Sequence, residues 1–145
     1  DLFGILCERG EEKKCFLMDQ EGVAYEEAPQ STGRLIAKIE IDEKGVKSGT
    51  KVFEESMVKQ FKEASDASRY STGSFLVGFQ LFSKIPREVQ AVNSEGFKIY
   101  LNAGDDFRKI FELFKTVLEK EIKEKRPLLD YVDLRFGNKV FYKFK

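Results

Sequence analysis

Short polar turns that contain glycine divide the chain into segments in which apolar and polar residues alternate. These turns occupy positions 19–22, 93–96 and 137–138, and residues with high β-propensity flank each of them on both sides. Because successive side chains of a strand point to opposite faces of a sheet, this pattern is typical of β-hairpins. The irregular spacing of the turns argues against a solenoid repeat.

The last hairpin is predicted to turn at Gly137-Asn138. Glycine in the first position of a two-residue loop favours a type II′ turn. This turn predicts the cross-strand pairs Phe136–Lys139 and Leu134–Phe141. Neighbouring residues of the final strand would then face opposite sides of the sheet.

Two other stretches place apolar residues every three or four positions, which is the spacing of an amphipathic helix. The first covers residues 53–64, with Thr50 as its expected N-cap and the polar segment 65–73 as its end. The second follows the acidic pair at 105–106, one of which is the expected N-cap, and stops before Pro127. Its apolar stripe consists of Phe107, Ile110, Phe111, Phe114, Leu118 and Ile122.

Two further segments, 34–41 and 74–82, are rich in strand-forming residues and predict additional strands. A length of 145 residues fits one domain, so we expect a single domain over 1–145. The order is strands, helix, strands, helix and a final hairpin, which predicts the α+β class. We expect a largely antiparallel or mixed sheet with both amphipathic helices packed on one face, ending in a C-terminal β-hairpin.

The two cysteines, Cys7 and Cys15, lie on opposite arms of another predicted hairpin, whose turn is the polar run 8–14. This arrangement brings their Cβ atoms within reach of a disulfide, although two reduced and unconnected thiols also fit the sequence. The spacing favours the disulfide, which indicates an oxidising, extracytoplasmic location. A zinc site is not expected here, since two cysteines and no histidine cannot complete four ligands without carboxylates.

The composition narrows the chemistry expected of the chain. It contains 25 basic residues, 25 acidic residues and no histidine. The balanced charge argues against a nucleic-acid partner, and the lack of imidazole excludes Ser–His and Cys–His dyads. No phosphate-binding loop or nucleophile motif occurs, and the charged run 119–126 is typical of a solvated helix face. We therefore expect no catalytic residues, no cofactor and no bound metal.

The C-terminal segment 139–145 combines three aromatic residues with three lysines. At a sheet edge, such a strand would present unpaired backbone groups and large apolar side chains, while its lysines would limit unwanted pairing. This favours strand addition by a partner peptide. An internal strand packed on both faces is the alternative.

Three segments, taken in order, resemble the FtsQ/DivIB family of bacterial cell-division proteins. One is Leu-Asp-Tyr-Val-Asp-Leu-Arg-Phe at 129–136, after the long amphipathic helix. The others are the Asp-x-x-Gly-Val hairpin within 15–25 and Gly-Phe-Lys-Ile-Tyr-Leu-Asn at 96–102. The resemblance covers nearly the whole chain.

The resemblance implies a non-catalytic domain on the extracytoplasmic face of the bacterial cell membrane, at the division septum. In the family, a cytoplasmic tail, one membrane helix and a POTRA domain precede this region, and residues 1–6 resemble the strand that leaves the POTRA domain. No apolar run in this chain is long enough to span a bilayer, so the single-pass anchor is expected outside it. The implied role is a divisome scaffold that binds FtsB/DivIC- and FtsL-like partners by strand addition.

The expected partner-binding residues lie in the C-terminal hairpin. By position, the resemblance implies Arg135, Phe136, Asn138, Lys139 and Phe144, and the last strand adds Val140, Phe141 and Tyr142.

Two other functions remain open from the sequence. One is an extracytoplasmic ligand-binding module, in which the phenylalanine-rich helices line a pocket for a lipid or a peptidoglycan fragment. The other is an enzyme based on paired carboxylates. A packed core without an apolar cavity would argue against the first, and the lack of an acidic pair in a cleft would argue against the second.

Overall fold

Ten strands and two α-helices make up the regular structure in the computed structural model, which describes residues 2–9, 14–28, 37–82 and 87–145. The strands are β1 (Leu2–Glu8), β2 (Cys15–Asp19), β3 (Val23–Glu27), β4 (Lys38–Ile41), β5 (Thr50–Lys51), β6 (Leu76–Gln80), β7 (Glu88–Asn93), β8 (Lys98–Asn102), β9 (Leu129–Asp133) and β10 (Phe141–Phe144). The helices are α1 (Glu55–Thr72) and α2 (Phe107–Val117).

All ten of these strands belong to one mixed sheet, in the order β10-β9-β8-β7-β6-β4-β1-β2-β3-β5. β4 runs parallel to both of its neighbours and β9 runs parallel to β8, whereas the other adjacent pairs are antiparallel. The α+β class and the C-terminal hairpin are therefore confirmed. The predicted strand at 34–41 is present from Lys38 onward, and residues 34–36 lie outside the described ranges.

Both helices connect parallel strands. α1 lies in the connection from β4 to β6, and α2 lies in the connection from β8 to β9. Since β6, β7 and β8 alternate in direction, β4 and β8 point the same way, and both connections move the same way across the sheet. Crossovers of this kind are almost always right-handed, so both helices are placed on the same face.

A row of buried side chains crosses the helix-covered face from strand to strand. Its members pair in register and are at most 1% exposed; they are Leu6, Ile39, Phe79, Ala91, Ile99 and Val132. The neighbouring row, on the other face, carries polar groups instead. There, Gln80 Nε2 donates to Glu40 Oε2 at 3.4 Å, and Gln90 Nε2 donates to Gln80 Oε1 at 3.1 Å. This contrast is expected for a sheet covered on one side.

The apolar stripes of the helices pack on the buried face. The ring centroids of Phe61 in α1 and Phe79 in β6 are 4.8 Å apart, and those of Phe114 in α2 and Phe97 are 6.1 Å apart. All residues of the predicted second stripe are buried. The Asp106 carboxylate caps α2 by accepting a backbone N–H, as predicted for one of the two aspartates.

Both ends of α1 differ from the prediction. Thr50 is not its N-cap, because this residue belongs to β5 and pairs with β3. The helix also continues through the polar segment as far as Thr72, where Gly73 ends it in the left-handed conformation. Ser68 and Ser71 are buried in this last part of the helix. Serine is small enough to be buried where a helix packs closely, so polarity alone gave the wrong boundary.

The end of α2 also departs from the prediction, because the α-helix stops ten residues before Pro127, at Val117. A π-helical turn, Leu118–Ile122, continues the buried stripe, and a 3₁₀ segment, Lys123–Leu128, leads into β9. Proline lacks an N–H and its ring obstructs an α-helix, which is consistent with the tighter path around it.

Cys7 and Cys15 lie directly opposite each other in β1 and β2, with their sulfurs at disulfide distance. The Cys15 carbonyl accepts the Ala28 N–H on the side of β3, so it points away from Cys7. The two cysteines therefore form a non-hydrogen-bonded pair, the kind in which opposing residues lie closest, and their Cα atoms are 4.1 Å apart. The structure thus confirms the pairing geometry that the spacing predicts.

We expect no free thiol in the denatured, unreduced protein, measured with a thiol reagent. The double variant Cys7→Ser/Cys15→Ser should unfold at lower urea concentration. By closing a short loop, the disulfide stabilises the folded state by roughly 2–3 kcal/mol in the chain-entropy model. Two reactive thiols, or an unchanged midpoint for the double variant, would contradict this expectation.

Candidate functional site

The final strand lies at one end of the sheet. Among the described strands, β10 pairs with β9 alone, so it is an edge strand and not an internal one. At the opposite end, β5 consists only of Thr50 and Lys51. A very short polar edge offers little to a partner, so the C-terminal edge is the better suited of the two for strand addition.

The pairing register of β10 differs by one residue from the prediction. Phe141 pairs with Asp133 and Tyr142 pairs with Val132, so the predicted Leu134–Phe141 pair is wrong. A shift of one residue exchanges the two faces of a strand. Phe141 therefore lies on the open face of the sheet, and Tyr142 lies on the helix-covered face with Val132.

The register changes because the chain remains bound to β8 after β9 ends. The Leu134 N–H donates to the Tyr100 carbonyl of β8 at 2.9 Å, and the Leu134 side chain is buried in the core. The chain consequently turns back only after a longer connection, residues 134–140, in place of a two-residue loop. The predicted pair of Phe136 with Lys139 is therefore also wrong, because both residues lie within this connection.

Two residues of β10 direct their backbone groups away from the sheet. Lys145 donates its N–H to the Leu128 carbonyl at 2.8 Å, so its backbone faces β9. Successive residues of a strand direct their backbone groups to opposite sides, so the N–H and C=O groups of Phe144 and Tyr142 face the open edge. No described residue bonds to these groups there. A partner strand would form its main-chain hydrogen bonds at these two positions.

Two exposed phenylalanines stand on the open face beside this edge. Phe136 is 54% exposed and Phe141 is 50% exposed, and their rings meet edge to face with centroids 5.2 Å apart. Lys139 and Lys143 are exposed next to them. Large aromatic side chains dominate the energy of many protein interfaces. The structure thus brings together four residues of the connection and strand as one accessible surface.

Arg135 is fixed by other groups beside the aromatic pair. Its Nη2 lies 2.6 Å from Asp133 Oδ2, and its Nη1 lies 2.9 Å from Glu88 Oε1. Its guanidinium carbon lies 5.3 Å from the centre of the Tyr100 ring and 5.8 Å from that of Phe136. Burial alone would raise the pKa of Asp133, but the hydrogen bonds and charge of Arg135 lower it overall. Arg135 therefore anchors the segment that carries Phe136.

The remaining predicted contact residues are divided between the core side and the connection. Val140, Tyr142 and Phe144 pack against the hydrophobic core, and the Tyr142 hydroxyl lies 3.4 Å from Glu121 Oε1. Asn138 is exposed in the connection before β10. The first three side chains therefore hold β10 on the sheet, while the backbone of the strand stays accessible at its outer side.

An interaction missed by the sequence analysis ties the 3₁₀ segment before β9 to the β7–β8 turn and to the end of α1. Arg126, in the 3₁₀ segment, donates from Nε to Glu95 Oε1 at 2.8 Å and from Nη2 to the Thr72 carbonyl at the end of α1. The hydrogen bond from Arg126 lowers the pKa of Glu95. The prediction of a solvated face for 119–126 is thus wrong for Arg126. No local signal marks this pair, because 31 residues separate the partners.

Buried carboxylates in the described part of the chain form structural bonds. Glu8 Oε2 accepts the Gly45 N–H at 2.6 Å, and Asp133 is paired with Arg135. In the same ranges, no group of three or more His, Cys, Asp or Glu side chains is placed to hold a metal ion. No helix there combines the length and the hydrophobicity needed to cross a bilayer.

The phenylalanine side chains of the two helices are packed tightly against the sheet. Their core phenylalanines are at most 2% exposed; they are Phe61, Phe107, Phe111 and Phe114. Two clefts on the described surface are lined mostly by charged and polar side chains. The ligand-binding hypothesis, which places a lipid or glycan fragment among these rings, therefore gains no support from their positions.

No protein-family model matches this sequence, and a comparison with curated proteins finds no match. The similarity to the FtsQ/DivIB family therefore depends on the three sequence segments described above, and the assignment stays a prediction.

We expect the folded state to lose stability in acid as Asp133 and Glu95 become protonated. Both carboxyls have a lower pKa when folded, so the unfolded chain binds more protons and stability rises with pH. Their contribution is complete above the ordinary values of 3.8 and 4.5, and it is lost as the pH falls through the lower folded values.

The urea midpoint as a function of pH measures this dependence. Asp133→Asn should lower the midpoint at neutral pH and flatten its acid dependence, whereas Asp130→Asn, at an exposed position, should change neither. A profile for Asp133→Asn that runs parallel to that of the parent protein would contradict the role given to the Asp133–Arg135 pair.

Proposed function

We propose that this chain is a non-enzymatic scaffold domain of the bacterial divisome, which binds a partner polypeptide by strand addition at β10. The observation that carries the proposal is the accessible C-terminal edge, whose outward backbone groups lie beside the exposed pair Phe136 and Phe141. At such edges, main-chain hydrogen bonds provide affinity and neighbouring side chains provide specificity.

The division role is supported by the sequence resemblance to the FtsQ/DivIB family. On this proposal the partners are FtsB/DivIC- and FtsL-like proteins, bound on the extracytoplasmic face of the membrane at the septum. A membrane anchor outside this sequence would hold the domain there. The Cys7–Cys15 pair, at disulfide distance, is compatible with the oxidising compartment that this location requires.

The charge on β10 favours a different protein over a second copy of this chain as the partner. Lys139, Lys143 and Lys145 are exposed along the strand and its flanks. Antiparallel pairing of two copies would bring these like charges together across the new interface. A partner strand with neutral or acidic residues at the facing positions avoids this repulsion.

Truncation of the aromatic pair should weaken partner binding and leave the fold intact. We expect Phe136→Ala and Phe141→Ala each to weaken binding of the extracytoplasmic domain of an FtsB/DivIC-type protein by about tenfold, since truncating a central interface aromatic costs roughly 1–2 kcal/mol or more. Titration calorimetry measures the affinity, and the urea midpoint verifies folding.

Tyr25→Ala is the matched control, because Tyr25 is an exposed aromatic residue on β3, toward the other end of the sheet. Unchanged affinity for both phenylalanine variants would reject the proposed surface. Deletion from Val140 onward is a weaker test, because it also removes side chains that pack on the core.

The identity of the partner is tested separately by photo-crosslinking in cells. A photoreactive residue at Lys143 should capture an FtsB/DivIC-type protein, and one at Tyr25 should not. Capture at Lys143 of a protein unrelated to division would overturn the divisome assignment.

A further inference from the structure

An amide side chain at the end of β8 holds the backbone of the connection between β9 and β10. Asn102 donates from Nδ2 to the Arg135 carbonyl at 2.9 Å, although 33 residues separate the two in the sequence. The pairing register of β8 and β9 ends at Tyr100 and Asp133. The Asn102 side chain therefore bonds the chain to β8 at a point where the ladder between the two strands has already ended.

The connection has few other bonds to the rest of the sheet. The Leu134 N–H donates to the Tyr100 carbonyl, and the bond from Asn102 follows one residue later. No other hydrogen bond with a described residue outside β9 and β10 holds the backbone of residues 134–140. The Asn102 amide is thus the last attachment of this backbone to β8 before Phe136.

This attachment determines where the Cα atom of Phe136 lies. A peptide unit is planar, so the Arg135 carbonyl lies in one plane with the N–H and the Cα of Phe136. The next residue is Gly137, with a φ of 66°. Glycine has the largest conformational freedom of all residues, so it does little to fix the chain on that side. The backbone of Phe136 is therefore held from its N-terminal side, through the Arg135 carbonyl.

The Phe136 ring benefits from a fixed backbone because about half of it is exposed. Its ring lies edge to face on that of Phe141, and the Arg135 guanidinium carbon lies 5.8 Å from its centre. Ordering an exposed side chain on binding costs free energy. This cost is lower when the free protein already holds the side chain in the position that the partner requires.

We infer that Asn102 is a positioning residue for partner binding, which holds Phe136 beside Phe141 before the partner arrives. Arg135 anchors the same segment through its side chain, whereas Asn102 anchors it through the backbone. The inference rests on the strand addition proposed at β10. It assigns a role in that interaction to a residue of β8, outside the C-terminal hairpin.

Removal of the Asn102 amide should weaken binding through Phe136. We expect Asn102→Ala and the similarly sized Asn102→Leu each to weaken binding of the extracytoplasmic domain of an FtsB/DivIC-type protein by about three- to tenfold, which corresponds to the loss of one hydrogen bond. In the Phe136→Ala background, the same substitutions should change the affinity by no more than about 1.5-fold, because the side chain that they release is absent. Titration calorimetry measures the affinities, and the urea midpoint verifies folding.

Gln80→Ala is the matched control, because Gln80 carries an amide on the same open face and donates to Glu40, away from the last hairpin. It should leave the affinity unchanged, whatever its effect on the urea midpoint. In the free protein, the NMR order parameters of the Phe136 and Gly137 amides should fall in Asn102→Ala and stay the same in Gln80→Ala. A residue that only stabilises the fold would give neither this local loosening nor the dependence on Phe136.

Equal losses from Asn102→Ala with and without the Phe136 side chain would overturn the inference, since Asn102 would then act by another route. Full affinity of Asn102→Ala beside a weakened Phe136→Ala would reject the positioning role alone and leave strand addition in place. Unchanged affinity for both Phe136→Ala and Phe141→Ala would reject the docking surface and the positioning role together.

Discussion

The buried face of the sheet constrains the strands that contribute to it, because a strand displaced by one residue would turn its apolar side chains toward solvent. The row from Leu6 to Val132 carries this constraint across six strands, and Tyr142 extends it to the edge. Phe141 is exposed as a direct result, since neighbours in a strand face opposite sides. The aromatic surface at the edge therefore depends on packing that is spread over the whole sheet.

How much of the fold the sequence predicts depends on the range of the interactions involved. The turns at 19–22 and 93–96 and the cap at Asp106 follow from neighbouring residues, and they are confirmed. The register of the last hairpin instead depends on the bond from Leu134 to Tyr100, two residues far apart in the sequence. A local turn preference therefore predicted the hairpin correctly and its pairing wrongly.

At the candidate site, too, some features follow from the local sequence and others depend on contacts between residues that are distant in the sequence. The family resemblance implied Phe136 as a contact residue, and the aromatic last strand added Phe141 together with Tyr142. The sequence did not show which of these side chains pack on the core. Arg135 was expected as a partner contact, and its bonds to Asp133 and Glu88 give it an anchoring role that no spacing reveals. These features arise only when strands distant in sequence become neighbours.

For the strand addition proposed at β10, the geometry of the edge has a mechanical consequence. The hydrogen bonds of an antiparallel pair lie perpendicular to the strands. Tension along the strand axis would load all of these bonds at once, whereas tension across the axis would open them one after another. A complex joined through this edge would resist sliding much better than peeling, so the strength of the attachment would depend on the direction of the force.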